Sequence, residues 1–241
     1  MPPEQHGDAP ERAQPAHPTP ERIPLQRRQF SALAAASLGL GLSRTAGAAG
    51  DPPLVPVTAQ QYQVLGKPVP VSAPAGTVDV VEFFSYACPH CFEFEPTLEN
   101  WLKTKPANIH FHRSPVHFLQ NAANFQPMYF ALEAMGLADT MQQKVFNAVH
   151  LEHQRLDKPD AIAAFMAKNG VDATRFMSVF GSFGVRTKVA QANQLFDAFG
   201  IDGVPTIGVQ GRFVTSPTAA KGEAQTLAVV DYLAAQVRAG H

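Results

Sequence analysis

The chain is poor in cysteine, with only Cys88 and Cys91 among its 241 residues. Two cysteines exclude a small scaffold held by several disulfides, so a hydrophobic core must stabilise the fold. They also exclude the usual structural zinc pattern, because no second ligand pair accompanies the first. The reactive chemistry of the sequence therefore centres on one C-x-x-C pair.

Neither sign of charge is in excess. The formal net charge is −1, with 16% charged and 45% hydrophobic residues. The lack of a basic surplus argues against nucleic-acid binding, and no acidic tail suggests a solvating segment. This composition predicts an ordinary globular protein with no nucleic-acid partner.

No apolar run is long enough to span a membrane. The best candidate, Phe30–Leu42, has about 13 residues against the ~20 that a spanning helix needs. It follows Arg27-Arg28 and precedes small residues around Ala48, an order typical of a secretory signal. We interpret residues 1–48 as a leader cleaved near Ala48 and expect a periplasmic protein. The arginine pair also resembles a twin-arginine export signal, so both export routes stay open.

The cysteine pair lies between a strand pattern and a helix pattern. Residues 78–84 predict a buried strand, and residues 92–102 predict an amphipathic helix. Shorter strands are predicted at residues 62–65 and 109–113. The order is β-β-α-β, and the helix is long enough to connect two parallel strands.

The second half of the chain predicts helices followed by a return to strands. Apolar residues recur at helical spacing through residues 119–200, which we interpret as an inserted all-helical subdomain. A hairpin is then expected around Gln210-Gly211, followed by a C-terminal helix over residues 227–237. The sequence thus predicts an α/β fold in which residues 49–118 and 201–241 form one domain around the insertion.

A cysteine pair at a strand-to-helix junction indicates a redox site. The free N–H groups and positive dipole end of a helix start favour a thiolate at Cys88. Pro89 suits the first helical position, where its missing N–H has no consequence. Cys91 lies one turn further and is expected to keep an ordinary thiol. We therefore expect Cys88 to be the attacked sulfur and Cys91 its resolving partner.

His90 indicates the direction of the redox reaction. Its imidazole can give the Cys88 thiolate a hydrogen bond or a positive charge. A stabilised thiolate favours the reduced form, so the disulfide becomes a strong oxidant and Cys88 a good leaving group. The alternative is that His90 is a solvated loop residue without a tuning role.

The segment Val81–Cys91 strongly resembles the active-site segment of the DsbA family of thiol:disulfide oxidoreductases, and the resemblance extends over the chain after the leader. It implies a thioredoxin fold with a helical insertion and no cofactor beyond the Cys88–Cys91 disulfide. It also implies donation of that disulfide to reduced exported proteins and reoxidation by a quinone-linked membrane partner of the DsbB type. We expect a monomer.

Three further residues match the family, two in one loop and one in a strand. Val204 and Pro205 match its cis-proline loop, in which the backbone of Val204 would pair with an extended substrate. Glu82, in an otherwise apolar strand, matches a buried acid that relays a proton to Cys91, with exposure at a sheet edge as the alternative. Glu95 and Arg113 could match other charged positions of the family, but we assign them no role, because Glu95 fits a solvated helix face as well as it fits such a position.

Three alternatives stay open. Within redox chemistry, the protein could be a disulfide reductase or isomerase, or a relative specialised for one client protein. Pro89 and His90 between the cysteines, together with the export signal, favour an oxidant. The alternative from another class is a metal-binding protein, whose ligands would be Cys88, Cys91, His90, His110, His112 and His117.

Overall fold

Two stretches of the chain, residues 56–119 and 123–240, are described in the computed structural model, and both belong to one structural unit. The predicted leader, with its arginine pair and its cleavage point near Ala48, lies outside the described residues. Within the described stretches, no helix has both the length and the hydropathy needed to cross a bilayer.

The elements alternate as the sequence predicted, with helices inserted between the third and fourth strands. Their bounds are β1 (Gln63–Val64), β2 (Val78–Phe84), α1 (Pro89–Thr104), β3 (Ile109–Pro115), α2 (Phe125–Ala134), α3 (Ala138–His150), α4 (Pro159–Lys168), α5 (Ala173–Phe180), α6 (Phe183–Phe199), β4 (Thr206–Val209), β5 (Phe213–Thr215), α7 (Pro217–Ala220) and α8 (Glu223–Arg238). The expected α/β fold with a helical insertion is confirmed.

The strands form one mixed sheet in the order β1-β5-β4-β2-β3. β2 and β3 are parallel, as expected for strands joined by a crossover helix, and the other neighbours are antiparallel. All seven residues of β2 are buried. Strands covered on both faces are mostly apolar, and five of these seven residues are, which is why the sequence predicted the bounds of β2 correctly.

Helices cover both faces of the sheet. On one face, α1 and α8 bury a cluster that includes Leu98 and Leu233. On the other face, Phe199 at the end of α6 packs against Phe83, with ring centroids 5.1 Å apart. The insertion has its own apolar cluster, which also contains Tyr86 and both cysteines. The insertion therefore shares its core with the segment that carries the C-x-x-C pair.

The strand directions bring residue 205 to the cysteine pair. Cys88 follows the carboxyl end of β2. Because β4 is antiparallel to β2, the start of β4 lies at that same end, with Phe83 opposite Thr206. The loop that contains Pro205 and the start of α1 therefore meet at one edge of the sheet.

The ends of the later elements follow local sequence signals. Ser182 caps α6, since its hydroxyl accepts a hydrogen bond from the Val185 N–H at 3.2 Å, and Gly200 ends the helix in a left-handed conformation. Gln210 and Gly211 both have positive φ, as the predicted hairpin turn requires. A side chain at position 211 would overlap the backbone of Val69. The four-residue helix α7 was not predicted, because it is too short to show helical periodicity.

Candidate active site

Cys88 is the N-cap residue of α1. Its backbone is extended, with φ −89° and ψ 117°, and Pro89 occupies the first helical position. The Cys88 N–H donates to the Ser85 carbonyl at 3.0 Å. In the same loop, the Tyr86 carbonyl lies 2.9 Å from Nε2 of His150, which is on α3. The core and the insertion therefore both position the loop that ends at Cys88.

The two thiols differ in exposure and in proton affinity. Both are free; Cys88 is 6% exposed and Cys91 is fully buried. The pKa of Cys88 is lowered to about 6, first by a hydrogen bond from the Cys91 thiol and then, against the opposing effect of burial, by the backbone N–H groups of Cys91 and His90 and by the charge of His90. Burial and the neighbouring Cys88 raise the pKa of Cys91. Only Cys88 therefore combines some solvent access with a thiolate at neutral pH.

His90 acts on Cys88 through its backbone N–H and its charge. Its side chain is 76% exposed, and Nδ1 lies 3.0 Å from Oε2 of Glu93. This contact raises the pKa of His90, which favours the imidazolium form near the thiolate. Of the two actions expected of the imidazole, the charge acts on Cys88, while the ring nitrogen pairs with Glu93.

The loop before β4 faces Cys88. The Val204–Pro205 peptide bond is cis, as the resemblance implied. Cys88 Sγ donates to the Val204 carbonyl at 3.4 Å. A pocket of about 490 Å³ opens here, and its lining includes Val204, Pro205, His90 and Glu93. When Cys88 loses its proton or enters a disulfide it no longer donates, so the Val204 carbonyl becomes available to another chain.

Glu82 lies in β2, an interior strand of the sheet, and is fully buried, so exposure at a sheet edge is excluded. Nε of Arg113, its neighbour on β3, donates to Oε2 at 2.8 Å, while the buried Oε1 has no hydrogen-bond partner among the residues that the structure describes. Burial raises the pKa of Glu82 although Arg113 opposes it. The charge of Glu82 in turn contributes to the raised pKa of Cys91. A carboxyl that can hold a proton therefore acts electrostatically on the buried cysteine.

The sequence reasoning missed the other members of this charged group. Nη2 of Arg113 donates to Glu95 at 2.7 Å and to Glu99 at 3.1 Å. Glu95 is fully buried, so the solvated helix face, one of the two interpretations left open for it, is excluded. Burial raises the pKa of Glu95 to about 8. Burial alone would lower the pKa of Arg113, but the charges of Glu82 and Glu95 outweigh it and raise that pKa.

A signal for Glu95 was present in the sequence. It follows Cys91 by four residues and precedes Leu98 by three, so it lies on the apolar stripe of α1. An acid on that stripe had to be buried, and a buried acid needs a cation. Arg113, at the end of a strand predicted to be parallel to the one containing Glu82, was the available partner.

The histidines of the metal hypothesis contact other groups. Nε2 of His112 and Nδ1 of His110 lie 3.2 Å and 3.7 Å from Oδ1 of Asp79, and the His117 ring packs against Phe196. Within residues 56–119 and 123–240, no group of three or more His, Cys, Asp or Glu side chains could hold a metal ion. Of the four histidines in the metal hypothesis, His90 is the one that acts on Cys88.

A C-x-x-C pair with one stabilised thiolate and one protonated thiol, set against a cis-proline loop, is suited to exchanging disulfides with another chain. The protein is a thiol:disulfide oxidoreductase. Comparison with known proteins defines the family. A family model described as a DSBA-like thioredoxin domain matches residues 79–225. The thiol:disulfide interchange protein DsbA of Burkholderia cepacia is 41% identical over 202 residues, which are 84% of this chain and 95% of that protein.

Solved structures agree with this match. The crystal structure of Pseudomonas aeruginosa DsbA has a TM-score of 0.72 at 39% identity and covers 75% of this chain and 94% of its own. Oxidoreductase DsbA from Xylella fastidiosa has a TM-score of 0.70 at 29% identity, covering 76% and 98%. The chain belongs to the DsbA family, and its fold is the thioredoxin fold with a helical insertion.

Proposed function

We propose that this protein is exported to the periplasm and donates its Cys88–Cys91 disulfide to newly exported, reduced proteins. The difference between the two thiols is the observation that carries the proposal, because a low pKa at Cys88 and a raised pKa at Cys91 favour the dithiol product. A site that favours its own reduced form transfers its disulfide readily.

The reaction begins when a substrate thiolate attacks Cys88 Sγ. The bond between Cys88 and Cys91 breaks, and the Cys91 sulfur leaves with the electron pair. Because the pKa of Cys91 is raised, that sulfur takes up a proton, for which Glu82 is the relay. A second substrate thiolate then attacks the substrate sulfur of the mixed disulfide. The substrate leaves oxidised, and Cys88 leaves as a thiolate stabilised by its hydrogen bonds.

The substrate chain would lie along the Val204–Pro205 loop. The carbonyl of Val204 loses the Cys88 donor when the disulfide forms, which supports pairing with a backbone N–H of an extended substrate. Pro205 places no N–H of its own in this loop. Recognition through backbone groups requires no particular substrate side chain, which suits a broad range of clients.

The proposal also covers the domain bounds, the oligomeric state and the reoxidation of the protein. We place the leader at residues 1–48, the two parts of the thioredoxin-like domain at 49–118 and 201–241, and the insertion at 119–200. The active protein is a monomer without a bound cofactor. A quinone-linked membrane protein of the DsbB type reoxidises the Cys88–Cys91 dithiol.

A trapping experiment tests the roles of the two sulfurs. The reduced Cys91→Ser variant is mixed with a peptide whose one cysteine is activated as a mixed disulfide with thionitrobenzoate, a better leaving group than Cys88, so that the Cys88 thiolate attacks the peptide sulfur and thionitrobenzoate departs. We expect mass spectrometry to find the peptide attached to Cys88, because the resolving thiol is absent. The matched Cys88→Ser variant, treated identically, should give little adduct. Equal adduct formation on Cys91 would contradict the assignment, as would oxidised wild-type protein that leaves a two-cysteine peptide reduced.

A further inference from the structure

A buried amide connects the helical insertion to the acids beneath the cysteines. Gln142 on α3 is 1% exposed. Its Oε1 accepts a hydrogen bond from the Tyr86 hydroxyl at 2.7 Å, and its Nε2 donates to Oε2 of Glu95 at 3.4 Å. A carboxylate can only accept hydrogen bonds, so the donor end of the amide faces Glu95 when Glu95 is ionised. The amide therefore favours the charged form of Glu95.

Glu82 and Glu95 compete for a proton. Both are fully buried, both contact Arg113, and the charge of Glu82 raises the pKa of Glu95 further. One guanidinium does not offset two buried carboxylates together with Glu99. In such a pair the proton resides on the carboxyl with fewer hydrogen-bond donors.

The hydrogen bonds to the two carboxyls are unequal. Glu95 accepts from Arg113 on one oxygen and from Gln142 on the other. Glu82 accepts from Arg113 through Oε2, and within the described stretches of the chain its buried Oε1 has no partner. The unpartnered oxygen of Glu82 is therefore the place for the proton.

Other ionisable groups interact with the pair. They are Glu99 on α1, Arg113 on β3, Tyr129 on α2, Tyr86 in the β2–α1 loop, and Cys88 and Cys91 at the start of α1. The charge of Glu99 raises the pKa of both carboxyls, and its hydrogen bond with Glu95 raises that pKa further, so Glu99 opposes the effect of Gln142. Gln142 has no ionisable group, so its donor can be removed without changing the net charge.

We propose that Gln142 is a positioning residue that holds Glu95 as the carboxylate and thereby keeps the shared proton on Glu82, beside Cys91. This inference rests on the proposed relay through Glu82. During disulfide transfer, the sulfur of Cys91 leaves with its electron pair and receives the Glu82 proton, and Glu82 becomes a carboxylate paired with Arg113. With the proton on Glu95, the departing sulfur of Cys91 has no acid beside it.

The test removes the donor with little change in volume. In Gln142→Met, we expect the pKa of Glu95 to rise and that of Glu82 to fall, as followed by NMR of protein labelled at the glutamate carboxyl carbons. Glu82→Gln and Glu95→Gln variants assign the two signals. The rate at which the oxidised protein forms a mixed disulfide with a cysteine peptide should fall about fivefold, the factor expected for one hydrogen bond of ordinary net strength.

Tyr86→Phe is the matched control, because it removes the other hydrogen bond of the same amide and leaves the donor to Glu95. We expect it to keep the titration order and the wild-type rate within about twofold. In a Glu95→Gln background, Gln142→Met should leave the rate unchanged, since no second carboxyl competes for the proton.

Two results would overturn the proposal. One is a wild-type protein in which Glu95 has the higher pKa of the pair. The other is a pair of variants, Gln142→Met and Tyr86→Phe, that lose rate equally without moving either carboxyl. If Gln142→Met does not fold, the titration order in wild type and in Tyr86→Phe decides. A wild-type protein that transfers no disulfide but keeps the proton on Glu82 would contradict the proposed function and leave the role of Gln142 intact.

Discussion

Cys88 and Cys91 lie one helical turn apart, and their positions on the helix explain their different chemistry. Cys88 is the cap residue of α1, and the backbone N–H groups of His90 and Cys91 at the start of the helix lower the pKa of its thiol. Cys91 is inside the helix and fully buried. The Cys91 thiol donates a hydrogen bond to the Cys88 thiolate and lowers the pKa of Cys88. Cys88 in turn raises the pKa of Cys91 and keeps it protonated. The asymmetry follows from where a helix begins.

The lowered pKa of Cys88 predicts a pH-dependent stability of the reduced protein. The folded thiol ionises at about 6, whereas an unfolded cysteine ionises at about 8.5. Between these values the unfolded chain binds one more proton than the folded one, so stability rises with pH by at most about 1.4 kcal/mol per unit. The gain is complete above the unfolded value and is lost as pH falls through about 6.

Denaturation in urea at several pH values measures this effect. The stability of the reduced protein, relative to that of the oxidised protein, should increase from about pH 6 to about pH 8.5. Cys91 does not cancel the trend, because its raised pKa affects stability only above that range. The Cys88→Ser variant forms no disulfide, so its stability is compared with that of the same oxidised wild-type protein, and this difference should show no such increase. A flat difference in the wild type across this interval would refute the lowered pKa.

Arg113 connects three elements of the fold. From β3 it contacts Glu82 on β2 and both Glu95 and Glu99 on α1. Removing one partner of a buried ion pair leaves an uncompensated charge, which is more destabilising than the lost attraction alone. The charged group therefore links the strand below the cysteines to the helix that carries them.

Arg113→Met should lower the free energy of unfolding at neutral pH by about 3–5 kcal/mol. Without the guanidinium, the pKa values of Glu82 and Glu95 rise further above those of the unfolded chain, near 4.3. Carboxyls with raised pKa values contribute most to stability below the pKa of the unfolded chain, and this contribution is lost as pH rises. The stability difference between Arg113→Met and the wild type should therefore be smaller in acid. The exposed Arg175 on α5 provides the control, and Arg175→Met should change stability by less than about 0.5 kcal/mol. Equal deficits at acid and neutral pH would argue against the buried charges.

At the scale of the molecule, local patterns predicted the framework and tertiary contacts decided the rest. The strand at residues 78–84 was predicted correctly because a run of mostly β-branched and aromatic residues is typical of a buried strand. The role of Pro205 depended on a resemblance, since the sequence alone does not show that β4 runs antiparallel to β2.

The partners within the charged group around Arg113 could not be predicted from local sequence patterns. Glu82 was expected to be buried, but its cation is 31 residues away on the neighbouring strand. Gln142 contacts Glu95 across 47 residues. Its spacing to Val145 and Phe146 places it on the buried face of α3, but that spacing does not identify its partner. Pairs this distant depend on strand register and helix packing, which no single segment specifies.

The equilibrium of the Cys88–Cys91 disulfide with glutathione measures whether this disulfide is an oxidant. We expect glutathione to reduce it readily, with a reduction potential of the protein clearly above that of the glutathione couple, because the product thiolate at Cys88 is stabilised. The measurement quantifies oxidised and reduced protein, by alkylation and mass, across a series of glutathione redox buffers. A potential below about −300 mV, as structural disulfides have, would contradict the donation of this disulfide to substrates.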